Sequence, residues 1–295
     1  MLLTALGACG FAVKGIFAKL LYARGWHFEQ VVTIRALLAL PVIWAWASWR
    51  EGVRGVYAGP VRARLGAALA GFVCYFIGTN LDFRALTLVD ASVERVLLFA
   101  YPSMVVVLHA VIYRQRPTPR AVASLARTYA GILMVVSGFD LGILRANLGG
   151  AGLVLSCAFT YALYYLASDR WGARIGAIRF TRAAVTTSAI AFAVQYLVSG
   201  SARHFPAVGP TDAALIASLV MLSTVLPMVL TAEGVRRLGA PRAAVVSTIG
   251  PPVTIALGAL LLGESLTFPQ GAGVALIALG IFVLESAQKS AAPRH

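Results

Sequence analysis

Ten stretches of mostly apolar residues follow one another along this chain, near 2–22, 29–48, 64–83, 92–113, 121–139, 149–168, 178–198, 212–235, 242–262 and 269–286. A helix needs about 20 such residues to cross a bilayer. In lipid, every backbone amide must find its partner inside the segment, so runs of this length predict helices. Composition agrees: 59% of the residues are hydrophobic, the mean hydropathy is +0.82, and 12% are charged, against about 25% in a soluble domain. The runs use up nearly all of the 295 residues and leave no room for a sizeable soluble domain. The expected fold is an all-α integral membrane protein with ten transmembrane helices, referred to below as spans one to ten.

The net charge of +14 needs an account. A nucleic-acid partner would require the basic residues to gather on one aqueous face; here they sit in short loops between apolar runs. The loops after spans two, four, six and eight, with the C-terminal tail, hold fourteen of them: Arg50, Arg54, Arg62, Arg64, Arg114, Arg116, Arg120, Arg170, Arg174, Arg236, Arg237, Arg242, Lys289 and Arg294. The opposite loops hold four: Arg24, Arg84, Arg145 and Arg203. Basic loops stay cytoplasmic. Both termini are therefore expected inside, in a bacterial-type inner membrane, with Trp44, Trp46 and Trp49 as an interfacial belt closing span two. The opening MLLTALGACGFAVKG lacks a basic leader region and reads as the first span. Cys9, Cys74 and Cys157 all lie in apolar runs and read as small buried hydrophobes, with neither disulfide nor metal spacing.

A shift of about 149 residues lays YPSMVVVLHAVIYRQRPT (101–118) over GPPVTIALGALLLGESLT (250–267), so that Pro102 meets Pro251 and Thr118 meets Thr267. Nearly the same offset pairs Cys9 with Cys157, Arg35-Ala36 with Arg182-Ala183, and Gly131-Ile132 with Gly280-Ile281. We therefore expect two five-helix repeats, 1–140 and 147–288. Five is odd, so the second copy enters from the opposite face. Inverted repeats of this kind place a substrate site near the midplane between the halves. Helix breakers recur at matched places, Tyr101-Pro102 and Gly250-Pro251-Pro252. Proline in a membrane helix is often an ordinary kink; the matched pair points to gating hinges at Pro102, Gly250, Pro251 and Pro252.

The segment LLLGESLTFPQGAGVALIALGIFV (260–283), together with Lys14 in span one and Arg35-Ala36 in span two, resembles the ten-span EamA-type branch of the drug/metabolite transporter superfamily. The first-half counterpart is degenerate, with Arg114 and Gln115 where the branch has a Gly-Glu pair. The resemblance covers the whole chain. It implies export or exchange of small metabolites, often amino acids, and the aromatic-rich spans are similar to the aromatic amino acid exporters.

Lys14 lies near the middle of span one, where a charge costs a few kcal/mol and where its stem reaches an interface poorly. It is expected to face the cavity and meet a substrate carboxylate. Lys19 lies close enough to the outer end to snorkel. Arg35 and Arg182 stand equally deep in spans two and seven, where snorkelling and substrate contact explain them equally well. Tyr75, Phe76, Tyr101, Tyr161, Tyr164 and Tyr165 cluster centrally. Each alone suits helix packing, but together they suit an amphipathic cavity. Asn80, Ser103 and Ser247 are the expected polar contacts; small-residue packing is the competing reading of the serines. His109 reads as a packed or interfacial histidine, and Glu264 as structural.

The acids Asp82, Asp90, Glu94 and Glu233 fall at span ends, which favours a facilitator or exchanger over a proton-driven carrier. No Walker A, Gly-x-Ser-x-Gly or His-Glu-x-x-His sequence is present, so neither ATP hydrolysis nor catalysis by these routes is expected, and no cofactor is implied. An intramembrane enzyme and a non-transporting structural protein are the alternatives. The expected partners are a small-molecule substrate and the lipid bilayer.

Overall fold

The computed structural model describes residues 2–55, 59–112, 141–199, 207–230, 250–265 and 267–291, with isolated positions between 114 and 134. Every regular element among them is helical. Five helices are long and apolar enough to cross a membrane: Ala5–Ala23, Phe28–Gly52, Val61–Ala85, Asn147–Gly172 and Pro210–Leu230. These are spans one, two, three, six and eight. Span four is Ala91–Leu98 followed by Tyr101–Ile112, span seven Ala177–Val198, span nine Gly250–Leu262, and span ten Phe268–Ala291. Span five lies largely outside the described residues. The chain is an all-α membrane protein.

Lipid is as apolar as leucine, so burial of large side chains does not drive these helices together. Close approach of small residues does. Span three shows the pattern: Ala63 and Ala67 are buried, while Leu65 and Leu69, two residues further on, are each 64% exposed. Ala158, Ala162 and Ala184 are likewise buried, and Leu197 and Val198 face outward. One buried cluster joins spans one, two, three, seven and eight through Leu21, Val31, Phe83, Phe192 and Leu219. A second joins spans four, six and ten through Leu97, Val154, Ala158 and Ile277.

Span three is not a uniform α-helix. Its turns widen to π geometry over Gly71–Gly78 before Thr79–Ala85 resumes. Widened turns also occur at Ser168–Gly172 and Met221–Val225. Such bulges re-aim side chains and are frequent at functional sites; this one carries Tyr75 and Phe76. Two glycines let neighbours close in on it. A Cβ at Gly71 would lie 2.2 Å from the Ala184 carbonyl oxygen, and one at Gly78 would lie 2.2 Å from Thr160 Oγ1.

Span four breaks at Phe99–Ala100, where the amides of both residues bond three residues back, to Val96 and Leu97. Pro102 follows in the first turn of Tyr101–Ile112, where a missing N–H costs nothing. In span nine, Gly250 is the first residue of its helix and is buried. The side chains of Pro102, Ser103, Pro251 and Pro252 lie outside the described residues, as does the whole of Ser247.

Candidate functional site

The charges in the interior are organised around Lys14, the first residue of helix Lys14–Ala23. Its ammonium is bound by the Asp82 carboxylate and stands 3.4 Å from Glu94 Oε1. The three side chains are 8%, 4% and 1% exposed. They come from spans one, three and four, so the cluster ties three helices at one point. Asp82 and Glu94 were expected at the outer ends of their spans. Each does stand within about a turn of a helix end, with its carboxylate turned inward, because a buried ammonium needs counter-charges. The expected placement of these acids near span ends stands, and what the sequence did not show is that both are buried against Lys14. Lys14 leaves its expected role, since protein carboxylates occupy the ammonium that was expected to meet a substrate.

Two arginines flank the cluster. Arg35 lies 5.1 Å from the centre of the Phe83 ring, with Lys14 5.8 Å from the same ring. It donates to Thr79 at 3.3 Å and Thr224 at 3.4 Å, linking spans two, three and eight. Arg95, next to Glu94, is 8% exposed and sits 5.4 Å from the centre of the Phe99 ring. Among the described residues its Nε has no hydrogen-bond partner. Arg182, the repeat counterpart of Arg35, instead lies 4.5 Å above the Trp44 ring and serves the contact between spans two and seven.

The aromatic residues do converge. Tyr101 stacks on Tyr165 with centroids 5.1 Å apart and the planes inclined by 18°, and their hydroxyls are 3.3 Å apart. Tyr161 lies 6.1 Å from Tyr101 on its other side. The Tyr75 hydroxyl donates to that of Tyr164 at 2.9 Å, and Phe76 packs edge-on to Phe192 at 4.9 Å. The band thus runs across spans three, four, six and seven. Tyr75, Tyr101, Tyr161 and Tyr164 are only half-buried, and Tyr165 is 42% exposed. Tyr75, Tyr101, Tyr161 and Tyr164 each pack one side against the buried clusters and keep part of the ring accessible.

Asn80 is committed elsewhere. It exchanges two hydrogen bonds with Gln195, at 2.9 and 3.1 Å, and donates a third to the Phe76 carbonyl. Reciprocal amide pairs of this kind fasten helices in membranes, here spans three and seven. On the face expected outside, Lys19 lies 3.4 Å from Asp90 and 3.8 Å from Glu264. Glu264 accepts from the Ala91 amide at 2.8 Å, at the head of span four, and Arg24 pairs with Asp212. Sequence reasoning gave Lys19 no role and passed over Arg95. The signal for Asp82 and Glu94 was available: a mid-span lysine demands acids, and these two lay within a turn or two of a span's end.

The profile of the EamA-like transporter family matches residues 1–137 and again 148–286. The chain is 33% identical over 273 residues to "Uncharacterized transporter YcbK" of Bacillus subtilis, across 91% of this chain and 86% of that one. It is 25% identical over 195 residues to "Uncharacterized inner membrane transporter YicL" of Salmonella typhimurium, across 66% of this chain and 64% of that one. A solved crystal structure, 16% identical, superposes with a TM-score of 0.66 over 98% of this chain and 99% of that one. That likeness shows a shared fold. An all-helical apolar fold and a family profile matched twice along its length together establish that this chain belongs to the EamA-like transporter family, within the drug/metabolite transporter superfamily.

Proposed function

We propose that the chain carries small metabolites, amino acids or related compounds with aromatic ones among them, outward across the inner membrane by alternating access. The two matched five-helix repeats enter the membrane from opposite faces, and spans four and nine bend at Pro102 and at Gly250-Pro251-Pro252 to open one side at a time. The observation that carries this reading is the half-buried tyrosine band of Tyr75, Tyr101, Tyr161, Tyr164 and Tyr165, contributed by both halves of the chain. Rings with accessible faces and hydroxyls suit a substrate with an apolar body and a polar head.

Transport runs as facilitated diffusion or exchange, because the interior carboxylates of Asp82 and Glu94 are already held by Lys14. Proteoliposomes loaded with a radiolabelled amino acid mixture provide the test. Efflux should exceed that of empty liposomes, accelerate with unlabelled amino acid outside, and be indifferent to an imposed pH gradient. Efflux at the empty-liposome rate contradicts the carrier reading; acceleration by the pH gradient alone contradicts exchange.

A further inference from the structure

We propose that Arg95 is the anion-binding residue of this carrier, taking the carboxylate of a small organic acid whose apolar body lies along the tyrosine band. The proposal rests on the carrier reading and narrows its substrate class.

Arg95 is more than nine-tenths buried, its Nε lacks a partner among the described residues, and it makes no hydrogen bond or salt bridge with any of them. A buried guanidinium without an acceptor is costly unless something else supplies the negative charge. Neither Asp82 nor Glu94 forms an ion pair with Arg95. Lys14, Arg35 and Arg95 set three formal positive charges against the two of Asp82 and Glu94, and both carboxylates turn to Lys14. Among the described residues one positive charge is left over, and one carboxylate balances it.

The surroundings select what else the ligand carries. A Cβ at Gly250 would lie 3.0 Å from an Arg95 Nη, so glycine at this point of span nine lets the guanidinium approach closely. On the other side a path of rings leads away from the charge. Phe99 is 5.4 Å from Arg95, Tyr101 is 6.1 Å from Phe99, and Tyr161 and Tyr165 lie 6.1 and 5.1 Å beyond Tyr101. A planar apolar body fits this path, and the fork of the guanidinium fits a carboxylate. Among the described residues no uncommitted acid stands near to receive an ammonium. Aromatic acids should therefore bind better than aromatic amino acids, and aromatic amines should not bind.

The test is titration of the purified full-length chain in lipid nanodiscs with phenylacetate, phenylalanine, phenethylamine and acetate, on the native protein and on Arg95→Gln and Arg95→Lys. The order expected for the native protein is phenylacetate tightest, phenylalanine and acetate each about tenfold weaker or more, and phenethylamine undetectable. A hydrogen bond to a charged group is worth about 1.5–3 kcal/mol, so Arg95→Gln should weaken phenylacetate by about ten- to hundredfold, and Arg95→Lys should recover part of the loss. Phenethylamine binding as tightly as phenylacetate, acetate matching phenylacetate, or an Arg95→Gln protein of native affinity would each overturn the assignment. The native ligand series decides even if Arg95→Gln fails to fold. Flux assays separate the two readings: transport of amines but not acids refutes the anion site and leaves a carrier, whereas acid binding without flux refutes the carrier and leaves the site.

Discussion

The ammonium of Lys14 on span one is bound by the carboxylate of Asp82 on span three, with the Glu94 carboxylate of span four 3.4 Å away. Breaking a buried ion pair by removing one partner costs about 3–5 kcal/mol, because the other charge stays behind. Lys14→Met should therefore lower the thermal unfolding midpoint in detergent sharply. Adding Asp82→Asn to it should restore part of the loss, since the stranded charge is then gone. A Lys14→Met protein as stable as the native one would show that the cluster does not hold these helices together.

Tyr101 lies between Tyr161 and Tyr165. Truncation to alanine removes a ring face from the proposed substrate path without opening a closed core, because Tyr101 is only half-buried. Stacking on one aromatic ring is worth about 0.5–1.5 kcal/mol. Tyr101→Ala should raise the half-saturating substrate concentration in proteoliposome flux several-fold while the unfolding midpoint moves little. Tyr101→Phe, which keeps the ring, should stay near native.

Gly71 and Gly152 make a matched contrast. A methyl group at Gly71 would collide with the backbone of Ala184, whereas one at Gly152 meets nothing within 4 Å. Backbone cannot rotate out of the way as a side chain can, and overpacking costs about 1–3 kcal/mol. Gly71→Ala should lose thermal stability by that order, and Gly152→Ala should be neutral or slightly more stable. Equal effects would refute the close approach of spans three and seven.

If the double proline within span nine is a hinge, replacing one proline should stiffen the helix without disturbing its packing. Pro251→Ala is expected to insert and fold normally, as judged by gel filtration and unfolding midpoint, but to turn over several-fold more slowly. A mutant with native turnover would leave Pro251 an ordinary kink.

The order of the helices was legible because hydropathy acts at the scale of the whole span. The runs at 2–22, 29–48 and 178–198 reappear within a few residues as Ala5–Ala23, Phe28–Gly52 and Ala177–Val198. Convergence of the tyrosines was legible for a related reason, since aromatic residues gathered in several spans have few ways to be accommodated. Partnership was not. Nothing in Asn80 alone reveals Gln195, which lies on span seven and binds it through two hydrogen bonds. The inward turn of Asp82 depends on where the widened turns of Gly71–Gly78 leave the helix after them, and a register change of that kind has no marker in the hydropathy pattern. Lys14 was recognised as a charge needing a partner, but the choice between a substrate and a protein carboxylate is made by packing.

The central claim is that two faces of one chamber open in turn. Pairs of spin labels measure this directly, on a protein whose native Cys9, Cys74 and Cys157 have been replaced. One pair is placed by Leu88→Cys and Leu261→Cys on the face expected outside, where both side chains are more than half exposed; the other by Arg62→Cys and Arg174→Cys on the face expected inside, where both are exposed. On adding a saturating mixture of amino acids and aromatic acids in nanodiscs, the account predicts that one distance lengthens as the other shortens. Two distances that each hold a single value, with and without substrate, would contradict it.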